Sequence, residues 1–482
     1  MRVPLENLDR AAGAGIDTLV RGHHRLRLRR VGRGAQLEPP DDGRLWAAGD
    51  PPPRDGCRLE VLIDGAEALP RISAALDRAR GEVRIAGWHV TPDFGLDRDE
   101  GARRLRDHLA ELAERVDVRV LLWAGAPLPV FSPRRSQMRR VRDELTRGTR
   151  VRCALDSRER PMHCHHEKLV IVDGEVAFVG GIDLTTLGGD RFDSGDHPAR
   201  GKIGWHDASS RLEGPAVADV ADHFASRWHE VTGERLPSTP PPAPVGGHEV
   251  QVVRTVPEKI YDFLPQGDFR ILESYQRALR SARSLVYLEN QFLWAPQVVE
   301  ILLDKLRDPP SDGFRVVIVL PAKPNNGADD TRGQLAQLAE ADDGAGRFLA
   351  ATLQSRTGRL SGPLYVHAKI AIVDDHWLTI GSANLNEHSF FNDSEMNVAC
   401  CDPELARETR LRLWSEHLEL PVEAVGGDPT QVVDELWKPI AREQLERREH
   451  GEPATHRLLE LRGVSRRSAA LLGPLQGFVV DG

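Results

Sequence analysis

The chain has 482 residues, a formal net charge of −9 and five cysteines. Its length exceeds what one hydrophobic core holds, so two domains of roughly 180 residues with appendages are expected. The acidic balance excludes a global basic field for nucleic acid, no apolar run approaches the roughly 18 residues of a bilayer span, and an odd cysteine count in a long chain suits a reducing cytoplasm better than a disulfide scaffold.

Met1 to Arg30 lacks the apolar core of a secretory leader. Arg21, Arg25, Arg27, Arg29 and Arg30 form a basic stretch there, expected to be solvated, with contact to anionic lipid as the alternative. Val83 to Val90 and Arg119 to Trp123 follow as strands, then the paired runs Leu169 to Val172 and Val176 to Val179. A helix is expected over Ala216 to Val231, with Trp228 near its end, before a proline-rich linker from Arg235 to Gly247. The same order then returns. Ser284 to Phe292, Arg315 to Leu320, Ile370 to Val373 and Trp377 to Ile380 read as strands, and Pro403 to Leu420 as a closing helix with Trp414. Strands alternating with helices predict an α/β fold, duplicated in tandem, with a sheet in each half.

One short pattern occurs in both halves. His166-Glu167-Lys168 is followed by Asp173, and His367-Ala368-Lys369 by Asp374; in each copy the Asp comes five residues after the Lys. A Gly-Gly or Gly-Ser pair begins seven residues after each Asp. Side chains two apart on a strand share a face, so His166 and Lys168 can reach one small anion together, as can His367 and Lys369. Asp173 and Asp374 fall on the opposite face at strand ends, where turns are expected, and read as orienting or structural groups.

The doubled spacing resembles the signature of the phospholipase D superfamily, H-x-K-x4-D-x6-G-[SG]-x-[ND]. The first copy continues through Gly180, Gly181 and Asp183, the second through Gly381, Ser382, Asn384 and Asn386. Further stretches are similar to the eukaryotic-type phospholipases D and their bacterial relatives: Tyr287 to Phe292, Gly181 to Leu184 with Arg191-Phe192-Asp193, and Trp205-His206-Asp207 leading to Glu213-Gly214-Pro215. The resemblance covers roughly residues 57 to 420. It implies two lobes, each a mixed β-sheet flanked by helices, packed about a pseudo-twofold axis with the active site at their interface. On this basis residues 1–56 are an N-terminal extension, 57–234 the first lobe, 235–247 the linker, 248–425 the second lobe and 426–482 a C-terminal helical extension.

The resemblance also implies a chemistry: hydrolysis or exchange of a phospholipid headgroup through a covalent phosphohistidine, with no cofactor and no metal. Lys168 and Lys369 would neutralise the phosphodiester, aided by Asn384, Asn386, Ser382, Gly181 and nearby backbone N–H groups. His166 is assigned as nucleophile and His367 as general acid, a role typically worth about 10²–10⁴ in rate. Each ring needs a carboxylate on its other nitrogen. Glu395 is given to His367; Asp193 and Asp207 both qualify for His166. Asp183, where the signature prefers Asn, is expected to orient backbone or a cation such as Arg191, which shifts the phosphate load to the second copy. The expected partner is phospholipid, with possible peripheral membrane contact, no nucleic acid, and a monomeric chain.

Several residues have simpler readings. His163-Cys164-His165-His166 contains metal-ligand types, but it lacks a second ligand pair and strand alternation would split its members. Glu289 and Gln291 share a strand face and are as well suited to structure as to lining the pocket. Trp88, Trp123, Trp205 and Trp294 taken singly are expected in the core. A cardiolipin synthase-like transferase uses the same chemistry with an alcohol as acceptor, and a nuclease of the superfamily is the third reading.

Overall fold

The computed structural model describes residues 18–463 except 20, 98–102, 129–131, 161–162 and 324–327. In the first half, β1 (Arg54–Ile63), β2 (Glu82–Gly87), β3 (Asp117–Trp123), β4 (Arg152–Asp156), β5 (Leu169–Val172), β6 (Val176–Gly180), β7 (Gly204–His206) and β8 (Ala208–Glu213) appear in turn. Seven of them pair in the order β4-β3-β2-β5-β6-β8-β1, with β2, β3 and β4 mutually parallel and the other neighbours antiparallel. The second half contributes β9 (His248–Val256), β10 (Asp268–Phe269), β11 (Leu285–Glu289), β12 (Arg315–Val319), β13 (Phe348–Thr357), β14 (Leu360–Val366), β15 (Ile370–Val373), β16 (Trp377–Gly381) and β17 (Glu395–Cys400). Their order, β13-β12-β11-β15-β16-β17-β9, repeats the first sheet strand for strand and direction for direction. β1 joins the two sheets: its start pairs with β9 and its remainder with β8.

The duplication extends to register. Val83 opposes Val172 as Val286 opposes Val373, and Leu169 opposes Val179 as Ile370 opposes Ile380. Val179 in turn opposes Ser210 as Ile380 opposes Val398. Asp207, three residues before Ser210, is therefore the structural counterpart of Glu395, three residues before Val398.

The fully apolar runs of β5 and β15 are buried on both faces, as expected of strands with packing on each side. Their alternation divides the interior. Leu169, Ile171, Ile370 and Ile372 point into one cluster shared by the two halves. Val170 and Val172 face the helices of the first half, and Ala371 and Val373 those of the second. All five cysteines are free thiols.

Asp173 and Asp374 act identically at the far ends of these strands. Each sits at a left-handed turn, with φ of 55° and 53°. Asp173 accepts the backbone N–H groups of Arg80, Gly81 and Glu82, while Asp374 accepts those of Arg283, Ser284 and Leu285. Each carboxylate thus ties its hairpin to the start of the neighbouring parallel strand.

Two sequence expectations change. The C-terminal segment is not wholly helical: after the helix Lys438–Glu449, β18 (Leu458–Glu460) adds antiparallel to β13 and widens the second sheet; residues 464–482 lie outside the described region. The basic stretch is solvated only in part: Arg25, Arg29 and Arg30 are exposed, whereas Arg27 is not. Arg27 is buried in a bidentate pair with Glu258, at 2.7 and 2.8 Å, while Arg25 and Arg29 pair with Glu38 and Arg21 with Glu300. Residues 235–247 carry neither helix nor strand.

Asp374→Ala removes the acceptor of three backbone N–H groups and is expected to lower stability by about 2 kcal/mol, measured by urea unfolding, with turnover per folded molecule unchanged.

Candidate active site

The two H-x-K segments enter their strands beside segments of the opposite half. The His166 main-chain N–H donates to the Ser394 carbonyl at 2.9 Å, and that of His367 to the His206 carbonyl at 2.7 Å. β7 runs parallel to the end of β14, pairing Trp205 with Tyr365 and His206 with Val366. Each histidine is thereby laid next to the carboxylate that opens the last core strand of the other half.

His166 Nδ1 lies 3.0 Å from Glu395 Oε1 and 3.1 Å from the Ser382 carbonyl. A carbonyl only accepts, so Nδ1 carries a proton. Glu395 is held in turn by the hydroxyls of Ser382 and Ser389, each donating at 2.5 Å. His367 Nδ1 lies 2.6 Å from Asp207 Oδ2. These pairings reverse the sequence assignment: Glu395 belongs to His166 and Asp207 to His367. Asp193 touches neither ring, since its carboxylate faces His197 and pairs with Arg200. The reversal arises because each ring docks against the partner half, which strand alternation within one half does not encode.

Both lysines fold back on their own strands. Lys168 Nζ donates to the His166 carbonyl at 2.7 Å and sits 3.2 Å from Asp183 Oδ2. Lys369 Nζ donates to the His367 carbonyl and lies 3.4 Å from Gln291 Oε1. The strand register makes Asn384 the counterpart of Asp183, so Lys369 has an amide where Lys168 has a neutralising carboxylate. Asp183 thus pairs with Lys168, and its charge also supports that of Arg191. Both polar atoms of the Asn384 side chain are buried without a hydrogen bond among the described residues.

Arg191 supplies a third cation. Its guanidinium lies 3.2 Å over the Trp205 ring and 4.0 Å from Asp207, and two of its nitrogens are buried without a hydrogen bond. Trp205 also packs on His367, with ring centroids 4.4 Å apart. Burial and this crowding of positive charge shift several of the groups nearby. Burial, reinforced by Lys168 and Arg191 against the pull of Asp207, brings Lys369 down to about 7. Burial brings Arg191 down to about 10. His367 is held well below its ordinary value by burial and by Lys369, Arg191, Lys168 and His166. Burial pushes Asp207 up to about 6 despite Lys369 and Arg191, and pushes Glu395 well above the usual carboxyl range despite Lys168.

Other expected phosphate donors are engaged elsewhere. Gly181 N–H donates to Ala208, and Ser382 N–H to Met396. The Asn386 carbonyl oxygen caps the helix Glu387–Phe391, accepting from Ser389 N–H at 2.8 Å. Gly181 must be glycine for a different reason: a Cβ there would stand 2.2 Å from Asp207 Oδ1.

Residues left open by sequence separate clearly. Gln291 joins the site, bridging Lys369 and the Tyr365 hydroxyl, whereas Glu289 faces away and binds His206 and His417. Trp205 lines the site, Trp88 stacks on Trp123, and Trp294 meets His388 edge-on. The members of the His163 to His166 run diverge. His165 turns to Ser394 and Asp156, and His163 to His388 and Asp393. Arg191 as an anion-facing group was the main omission; its Arg-Phe-Asp context was visible, but not its open nitrogens.

Comparison with known proteins agrees with this arrangement. Residues 275–415 match the family model described as cardiolipin synthase, PLD-like domain. Phospholipase D A of Dictyostelium discoideum is 25% identical, aligning with 77% of this chain and 36% of its own length. Phospholipase D alpha 3 of Arabidopsis thaliana is 24% identical over 80% of this chain and 70% of its own. The major cardiolipin synthase of Bacillus subtilis is 27% identical over 73% and 67%. The chain therefore spans little more than a third of the Dictyostelium protein and about two thirds of the other two. A phosphatidylserine synthase structure from Haemophilus influenzae shares the fold, with a TM-score of 0.50 at 12% identity over 74% of this chain and 84% of that one. A duplicated α/β sheet with one H-x-K segment per half defines a class of two-lobed proteins. The chain is similar to phospholipases D and to a cardiolipin synthase, and its residues 275–415 match a PLD-like domain.

The proton shifts give a bell-shaped expectation for kcat/KM, which reports the free enzyme. As pH falls through about 6, Asp207 gains a proton and ceases to accept from His367; as pH rises through about 7, Lys369 loses its charge. Activity declines on both sides. Asp207→Asn should erase the acid limb and lower the maximum by about 10–100-fold, as read from a pH–rate profile.

Proposed function

We propose that this chain is a phospholipase D-type phosphodiesterase, cleaving or exchanging the headgroup of a phospholipid. The observation that carries the proposal is the reciprocal seating of the rings. Each histidine has its Nδ1 on a carboxylate of the opposite half, and the two rings meet beside Lys168, Lys369 and Arg191.

A phosphodiester anion repels nucleophiles until its charge is offset. Lys369, Arg191 and the Asn384 amide offer unspent positive charge and donors for its non-bridging oxygens. Lys168, balanced by Asp183, contributes less net field. His166 Nε2 attacks phosphorus, and Glu395 and the Ser382 carbonyl stabilise the Nδ1 proton as the ring becomes cationic. Burial, with the surrounding cations, holds His367 neutral in the free enzyme. A bound phosphodiester places negative charge among those cations and raises the ring's proton affinity. His367 then protonates the departing alcohol and afterwards takes a proton from water or from a second alcohol, which attacks the phosphohistidine. The likeness to a cardiolipin synthase supports a lipid alcohol as an alternative acceptor, with every preceding step unchanged. Among the described residues no helix is long and apolar enough to cross a bilayer, and access to lipid is assigned to peripheral contact.

Incubation with phosphatidylcholine vesicles and ethanol should yield phosphatidic acid and phosphatidylethanol. His166→Ala and His367→Ala should each cost on the order of 10²–10⁴ in rate or more, and acid quenching of the wild type should trap phosphate on His166. Cleavage of DNA without turnover of lipid would overturn the reading, and phosphate trapped on His367 would exchange the two roles.

A further inference from the structure

Behind the catalytic histidines lies a second cluster of titratable groups that the phosphodiester chemistry does not use. It comprises Asp64, which opens the helix Asp64–Arg78, His197 in the chain leading to β7, His206 at the end of β7, and Glu416 near the end of the helix Pro403–Leu418. Three residues come from the first half and one from the second. Asp64, His197 and His206 are wholly buried and the Glu416 side chain is nearly so.

The geometry points to a divalent transition-metal site of the zinc type, formed by Asp64 Oδ2, His197 Nε2, His206 Nδ1 and Glu416 Oε1. His197 Nε2 lies 3.0 Å from Glu416 Oε1 and 3.3 Å from Asp64 Oδ2, while His206 Nδ1 lies 3.1 Å from Glu416 Oε1. Tetrahedral zinc with nitrogen and oxygen ligands at about 2.0–2.1 Å has ligand–ligand edges of about 3.3 Å, so little movement is needed to close the shell. Asp64 Oδ2 is buried with no hydrogen bond, and His206 Nδ1 lies 3.1 Å from Asp64 Oδ1 as well as from Glu416 Oε1. Asp64 Oδ1 is separately occupied, accepting from Asp207 N–H at 3.0 Å.

The outer groups are arranged as a metal requires. Ligating histidines ordinarily give their other ring nitrogen to a carboxylate, which fixes the tautomer and strengthens the ligand. His206 Nε2 meets Glu289 Oε2 at 2.7 Å, and His197 Nδ1 faces Asp193 Oδ2 at 3.3 Å. Glu289 is itself held by His417 at 2.9 Å and by the Tyr287 hydroxyl at 2.5 Å, while Asp193 is paired with Arg200. With neutral imidazoles, a dication and the carboxylates of Asp64 and Glu416 leave no net charge in an interior that penalises it.

The ion acts at one remove from phosphorus. The His206 carbonyl accepts the His367 and Ala368 N–H groups, and Asp207 receives His367 Nδ1. A metal on His206 and Asp64 clamps this segment to Glu416 of the other half and holds the acceptor of the general acid in place. Its role is positioning, and it makes no contact with substrate.

The test uses the full chain without a histidine tag, dialysed with ZnCl2 and desalted, with zinc measured by mass spectrometry and unfolding followed by calorimetry. The expected result is one zinc per chain, a raised Tm that falls on chelation, and an X-ray absorption spectrum with nitrogen and oxygen ligands but no sulfur. Glu416→Gln and His197→Gln should weaken zinc binding by more than about 10-fold, while His163→Gln, in the separate His163, His388 and Asp393 cluster, should not. Wild-type protein that retains no zinc and shows no zinc-dependent Tm overturns the proposal whatever the variants do. Wild-type stoichiometry in folded Glu416→Gln and His197→Gln likewise overturns it.

Discussion

The hydrogen bond from each catalytic ring to a carboxylate of the opposite half couples the fold to the chemistry. A buried imidazole with no partner could place its proton on either nitrogen, and a buried carboxylate with no partner would carry an unmet cost of about 3–5 kcal/mol. The cross-pairing of His166 with Glu395, and of His367 with Asp207, meets both needs together. It also makes the site conditional on the assembly of both halves, because each half supplies the ring of one pair and the carboxylate of the other. The shared apolar cluster through β5 and β15 supplies the adhesion that brings these groups into register.

Symmetry in the backbone is combined with asymmetry in charge. Asp207 and Glu395 occupy equivalent positions, as do Lys168 and Lys369, and Asp173 and Asp374. The pair that breaks the pattern is Asp183 and Asn384. With a carboxylate 3.2 Å from Lys168 and an amide at the matching place beside Lys369, the two lysines present different fields to an anion. Arg191, stacked on Trp205 near Asp207, deepens the difference. A pseudo-symmetric scaffold can therefore give its two histidines different proton affinities and, with them, different roles.

The segment from Asp193 to Asp207 links this asymmetry to the deeper cluster. His206 contributes its carbonyl to the entry of His367 and its ring to the buried carboxylates behind. Asp207 follows immediately and accepts from His367. Order in the hidden cluster is thus transmitted to the catalytic ring over a single peptide unit, which gives a physical reason for so many charged side chains in a region without solvent.

Much of this arrangement is written in local spacing. The duplication, the apolar runs of β5 and β15, the common face of each His and Lys, and the turn positions of Asp173 and Asp374 all follow from period-two alternation and turn chemistry, which act within a few residues. The partners of the rings do not. Asp207 lies 160 positions from His367 and Glu395 lies 229 from His166, so the assignment depends on how one half docks on the other. Nor could spacing show that Ser382 and Asn386 are occupied by Glu395 and a helix end, or that Arg191 has nitrogens to spare. The sequence by itself determined which residue types are present and which way they face along each strand. The tertiary structure alone decided which of them meet, because contacts across the interface are set by the packing of one half on the other.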